Sequence, residues 1–164
     1  MNLSKFSLEE LVLAALKAEI DAENAYSILA NRVKNALLKD RLKFLAEEEK
    51  KHEAFVRVIH KKTFPDKDLV VPAKSPVPLP EIKVANEMMR ISEVLDSAMQ
   101  AEKAAHEFYK KLAERFFDDK QIYGMLMYFS AMELGHYKLL EIEKTNADKF
   151  EEMEAIWPLI HVGP

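Results

Sequence analysis

The chain has no cysteine among its 164 residues, only three glycines, and no apolar stretch of membrane-spanning length. Each shortage excludes something. Without Cys there is no disulfide framework, thiol nucleophile or thiolate metal site, so any bound metal falls to Glu, Asp and His. Gly124, Gly135 and Gly163 are too scattered to form a phosphate-cradling glycine loop. The longest uncharged run, Gln121 to Met132, has twelve residues, whereas a membrane-crossing helix needs about 20. Positive charge is also short. Against 28 Asp and Glu there are 24 Lys and Arg, a formal net charge of −4 with no basic footprint for nucleic acid. Glu9, Glu10 and Glu19 near the start do not suit a secretory signal. The expectation is a soluble, cytoplasmic, single-domain protein without a membrane or nucleic-acid partner. Its apolar fraction of 49% suffices for a packed core.

What is present is helical periodicity. Apolar residues recur at steps of three and four almost throughout, and strand-like alternation is scarce. Four long helices are expected. The first opens at Ser7, with Glu10 completing a capping box, and runs to about Lys34. Asn35 caps the second, which ends near Lys62. Five prolines between Phe64 and Pro80 exclude helix there. The third helix is expected from Glu81 to about Phe117. Asp118 or Asp119 caps the fourth, which ends near Lys144, and a short C-terminal helix follows Thr145 or Asn146. The tight joints at Asn35 and Asp118 make two antiparallel hairpins. The proline-rich segment, at roughly 3.1 Å per residue, reaches about 50 Å and can return along the whole bundle.

The two hairpins repeat one another. Residues 15–32 (ALKAEIDAENAYSILANR) and 98–115 (AMQAEKAAHEFYKKLAER) share eight of eighteen positions, among them Glu19/Glu102, Tyr26/Tyr109 and Arg32/Arg115. In helices two and four, LAEEEKKHEAF (45–55) aligns with FSAMELGHYKL (129–139), which superimposes Glu49 on Glu133 and His52 on His136. An approximate two-fold axis is implied.

The copied polar residues fall inside core-facing seams. The first helix gives Val12, Ala15, Glu19, Ala22, Tyr26, Leu29, Val33, and the second Leu42, Leu45, Glu49, His52, Val56, Ile59. The third gives Leu95, Met99 or Ala98, Glu102, Ala105, Tyr109, Leu112. The fourth gives Ile122, Leu126, Phe129, Glu133, His136, Leu140. Heights agree as well. Glu19 and Glu49 lie about 24 and 21 Å from their shared turn at 1.5 Å per residue, and Glu102 and Glu133 match likewise. Four carboxylates sharing one buried layer would be very costly without counter-charge. Two divalent cations would neutralise them. Glu and His three apart on a helix share a face, so each ExxH pair offers an oxygen and a nitrogen to one ion.

With Glu19 and Tyr26, Glu49-Lys-Lys-His52, Glu102 and Tyr109, and Glu133-Leu-Gly-His136, the chain resembles the ferritin-like superfamily, most closely the di-iron domain of rubrerythrin. The resemblance covers roughly residues 7–145. It implies an all-α, ferritin-like four-helix bundle, and the helix and proline pattern sets that domain at residues 1–146, with a crossover at 64–80 and a segment 147–164 expected to pack on it. It also implies metal-ligand roles for Glu19, Glu49, His52, Glu102, Glu133 and His136, and supporting hydrogen-bonding roles for Tyr26 and Tyr109. The implied cofactor is a pair of metal ions, iron first, with Mn or Zn as alternatives. Two departures stand out. Rubrerythrin carries a further Glu one turn after its third-helix ligand, where this chain has Ala105, and a cysteine-ligated rubredoxin domain that this chain cannot form.

The functional expectation is reduction of hydrogen peroxide or dioxygen at the di-iron site, with a rubredoxin-like electron donor in trans and a homodimer as the assembly. No residue beyond the metal ligands stands out as an acid or base catalyst. The alternatives are iron oxidation for storage or delivery, and a bundle that metal merely stabilises. Glu23, His106 and Glu53 are expected on the flank or surface, and Met125, Met127, Tyr128, Phe129 and Met132 in core packing. Gly135 is open to two readings, close backbone approach near the metals or eased helix packing. His60 and His161 have no assigned role.

Overall fold

The computed structural model describes residues 3–160 except 85 and 87, with side chains through residue 154. Four helices account for it: α1 (Leu8–Arg32), α2 (Ala36–Thr63), α3 (Ile91–Glu114) and α4 (Lys120–Ile160), with no strand among the described residues. Three helix starts are set by the expected caps. The Ser7 hydroxyl accepts from the Glu10 N–H, and the Glu10 carboxylate accepts from the Ser7 N–H at 2.8 Å. Asn35 Oδ1 accepts from the Leu38 N–H at 3.0 Å, and Asp119 Oδ1 from the N–H groups of Gln121 and Ile122. Each cap satisfies donors that the first turn leaves without helical partners.

Helices α1 and α2 form one close antiparallel hairpin, and α3 and α4 the other. Contacts between the hairpins fix their direction. Glu19 meets Tyr109 and Tyr26 meets Glu102, while Arg41 pairs with Glu143 and Lys62 with Asp119. In both sets the residue order reverses, so α1 runs antiparallel to α3 and α2 to α4. The crossover leaves α2 beside the start of α1 and arrives where Arg32, at the end of α1, donates to the carbonyls of Asn86 and Met89. It therefore traverses the length of the bundle.

Two boundaries differ from the sequence expectation. α3 begins at Ile91 rather than Glu81. Residues 81–84 are non-helical: Ile82 and Val84 pack on the core, while the exposed Lys83 between them donates its N–H to Ser97 Oγ at 3.0 Å. That alternation of two satisfies the backbone better than a helical turn could after Pro80. α4 does not stop near Lys144, and the short separate C-terminal helix is instead a continuation of α4 to Ile160. The Thr145 hydroxyl donates to the Glu141 carbonyl one turn back instead of capping a new helix. Lys144 and Asp148 pair at 2.8 Å across the expected break. Beyond it, Glu151 reaches the start of α3, accepting from the Ser92 N–H at 3.1 Å and hydroxyl at 2.6 Å. His161 and Gly163 lie outside the described residues.

The core is divided. One cluster gathers Leu11, Val12, Val56, Ile59, Leu112 and Leu126, and the other Leu29, Leu42, Leu45, Val94, Leu95 and Leu140. Between them lies a polar layer.

Candidate metal centre

Glu19, Glu49, His52, Glu102, Glu133 and His136 make up that layer, and none is more than 4% exposed. One side chain comes from each of α1 and α3 and an ExxH pair from each of α2 and α4, as the seams and heights require. His52 Nδ1 lies 2.9 Å from Glu133, 3.2 Å from Glu49 and 3.4 Å from Glu19. His136 Nδ1 lies 3.0 Å from Glu49, 3.4 Å from Glu133 and 3.7 Å from Glu102. Two four-residue groups result, Glu19–Glu49–His52–Glu133 and Glu49–Glu102–Glu133–His136, each with its ligand atoms within 4.8 Å of one another. Glu49 and Glu133 belong to both. Each ExxH glutamate thus stands between the two histidines, while Glu19 and Glu102 sit at the outer ends.

Several of these atoms face one another without bonding. Glu49 Oε1, Glu133 Oε1 and Nδ1 of both histidines are fully buried yet aligned for no hydrogen bond. Buried polar atoms are otherwise almost always paired, and orphaning one costs about 1–3 kcal/mol. Donor atoms that converge at 2.9–3.7 Å with no hydrogen bond aligned between them have the arrangement of a cation-binding shell. Oxygen and imidazole donors in this number fit divalent Fe, Mn or Zn.

Metal-free electrostatics record the same strain. Burial, reinforced by neighbouring Glu49, pushes the Glu19 carboxyl up to about 8. Burial together with Glu49 and Glu102 likewise raises Glu133 well above the carboxylate range. For Glu49, burial alone would act upward, but contacts with His136 and His52 outweigh it and hold the group at about 2. Burial would lower His52, yet Glu133, Glu19 and Glu49 raise it to about 12. His136 moves in the same direction, raised by Glu102, Glu133 and Glu49. Without a metal, protons must do a cation's work here.

The two tyrosines cross between hairpins. Tyr26 on α1 donates to Glu102 on α3, and Tyr109 on α3 donates to Glu19 on α1. Both are fully buried, and burial plus the adjacent carboxylates raises each phenol well above its usual range, so both stay protonated as donors. Each outer carboxylate is thereby oriented from the opposite hairpin. Phe129 closes the layer with its ring centroid 4.3 Å from that of His52.

The remaining sequence candidates separate from the layer. His106 is held by Ser130, its Nδ1 lying 2.7 Å from the Ser130 carbonyl while the Ser130 hydroxyl bonds to the His106 carbonyl at 3.0 Å. Glu23 is half-buried on α1, and Glu53 pairs with Arg57 at 2.7 Å. Of the Met-rich stretch, Phe129 is buried while Met125 and Tyr128 are exposed. Gly135 answers to neither reading: it is exposed, and a Cβ there would meet nothing within 4 Å. His60, unassigned from sequence, is buried, with Nε2 3.9 Å from Glu9. Periodicity also missed the buried Glu143, which pairs with the partly exposed Arg41 at 2.6 Å, because both residues read as ordinary surface charges.

The model of the Rubrerythrin family matches residues 10–144, which contain the whole layer. A solved structure of a hypothetical protein from Pyrococcus furiosus is 38% identical, with a TM-score of 0.80 over 91% of this chain and 95% of that one. No curated protein matches.

Proposed function

The chain belongs to the rubrerythrin family, and on that premise we propose that its buried layer is a dinuclear iron centre reducing hydrogen peroxide or dioxygen. The observation that carries this reading is the pair of overlapping ligand groups sharing Glu49 and Glu133. Each group would hold one ion, and Glu49 and Glu133 are available to both. A ferrous pair held by Glu19, Glu49, His52, Glu102, Glu133 and His136 would supply the two electrons that, with two protons, convert hydrogen peroxide to two waters. The chain contributes geometry. Its carboxylates hold the charge of the ions in a site sealed above and below by apolar clusters. Tyr26 and Tyr109 fix the outer carboxylates by donated hydrogen bonds. These 164 residues hold no cysteine for a rubredoxin-type iron site, and a rubredoxin-like protein acting in trans is the electron donor we assign.

No helix among the described residues is long and apolar enough to cross a membrane, and a cytoplasmic homodimer is the setting we assign. Light scattering distinguishes that dimer from a storage cage. Protein loaded anaerobically with two Fe(II) per chain is expected to consume one hydrogen peroxide per pair of irons, with ferric absorption appearing in step. Loaded protein that leaves peroxide untouched would refute the redox reading.

A further inference from the structure

A cavity of about 60 Å³ opens on the α1–α3 side of the layer, away from the histidines. Its floor includes Glu49 and Glu133, whose Oε1 atoms are buried and unpaired. Its walls include four alanines, Ala18, Ala22, Ala101 and Ala105, which are two pairs of repeat-equivalent positions. Its roof is the crossover from Ser75 to Ile82, and at its outer end stand Glu81, exposed, and Asp21, whose side chain is 42% exposed. The lining therefore leads from solvent to the metal layer. A void this size holds several waters, since about 10–15 Å³ admits one.

The charge of the lining is one-sided. Besides the four layer glutamates it includes Asp21 and Glu81, and no basic residue. Lys17 bonds to Asp21 but is not part of the wall. Neither outer acid belongs to the duplicated unit, because the repeat partner of Asp21 is Ala104 and Glu81 lies in the crossover. A cleft lined by one sign of charge concentrates ions of the other and raises their association rate by about 10–1,000-fold.

We propose that this cavity is the path by which divalent cations reach the buried layer, with Asp21 and Glu81 as the capturing carboxylates at its mouth. It rests on the metal-centre reading above. The alanine walls keep the path open, and the outer acids exchange part of the ion's hydration shell before the inner glutamates take it.

Association of Co(II) with the metal-free chain, followed by its visible ligand-field absorption in a stopped-flow instrument, tests the proposal without any turnover. The D21N/E81Q double variant is expected to bind two Co(II) per chain at unchanged affinity, with association slowed about tenfold and a weaker dependence on salt. Ala105→Leu, which narrows the path from the wall, is expected to slow association at unchanged stoichiometry. Unchanged rates in both variants would overturn the path. Loss of an ion from D21N/E81Q would overturn it differently, making an outer acid a ligand. Wild-type chain binding no Co(II) would instead refute the metal centre itself.

Discussion

Tyr109 and Glu19 show how much of the site depends on single hydrogen bonds between hairpins. Tyr109→Phe removes one hydroxyl and leaves the ring packed against Phe129 and Phe108, so the fold should persist while Glu19 loses its only fixed donor from α3. Metal affinity should fall by about 10–100-fold, and Tyr26→Phe should match it because the bond to Glu102 is its symmetry counterpart. Titration of both variants with Co(II) checks this; affinity unchanged in either would make the tyrosines packing residues only. Gly124 and Gly135 make the opposite case. Both lie inside α4, and beyond their chain neighbours and the local helix backbone nothing comes within 4 Å of where a Cβ would stand. Each Gly→Ala substitution should stabilise the chain by up to about 1 kcal/mol, raising Tm by about 2–4 °C. A fall in Tm would mean that something outside the monomer fills that space.

Helix ends and the crossover carry the next level. Arg32 and Arg115 occupy equivalent places in the repeat, and their roles are equivalent. Arg32 closes α1 and holds the carbonyls of Asn86 and Met89 ahead of α3, while Arg115 closes α3 and reaches the Phe6 carbonyl ahead of α1 at 3.4 Å. Arg32→Ala should cost about 1 kcal/mol and loosen the crossover, seen as faster amide exchange at Lys83, whose N–H bonds to Ser97. Unchanged exchange there would show that the apolar contacts of Ile82 and Val84 suffice. These elements also show what a sequence conveys. The six layer residues were legible because Glu and His are costly inside an apolar seam unless something binds them there, and the repeat displayed each of them twice. Ser7 and Asn35 were legible because capping is local, and the cap of α4 was narrowed to Asp118 or Asp119, of which the structure uses Asp119. The start of α3 was not legible, since residues 81–84 have helix-compatible composition and only packing of Ile82 and Val84 draws them into an extended path. The continuation of α4 depends on Glu151 meeting Ser92 across 59 residues, and no local pattern reports such a contact. Asp21 and Glu81 escaped notice for the same reason: only the folded crossover brings them to one cavity.

For the molecule as a whole, the central fact is four carboxylates buried between two apolar clusters in a chain of formal charge −4. Two divalent ions held there would offset those four charges locally. In the metal-free chain protons take their place, which sets a pH dependence. Glu19 has a folded value near 8 against an ordinary 4.5, so its contribution is complete below about pH 4.5 and lost as pH rises through 8. His52, raised from 6.5 to about 12, acts in the same direction at higher pH. Glu49, held at about 2, acts oppositely, losing its contribution only as pH falls from 4.5 toward 2. Metal-free protein should therefore become less stable between pH 5 and 8, and metal should raise Tm more at pH 8 than at pH 5, releasing protons as it binds. Thermal unfolding with and without metal checks the sign; a metal-induced gain larger at pH 5 would contradict it. The most direct test of the shared centre is anaerobic Fe(II) titration of the metal-free wild type, Glu19→Gln and Glu49→Gln chains. Glu19 belongs to one ligand group and Glu49 to both, so the three should bind two, one and no ions tightly. Glu49→Gln still binding two would contradict a dinuclear centre bridged by that carboxylate.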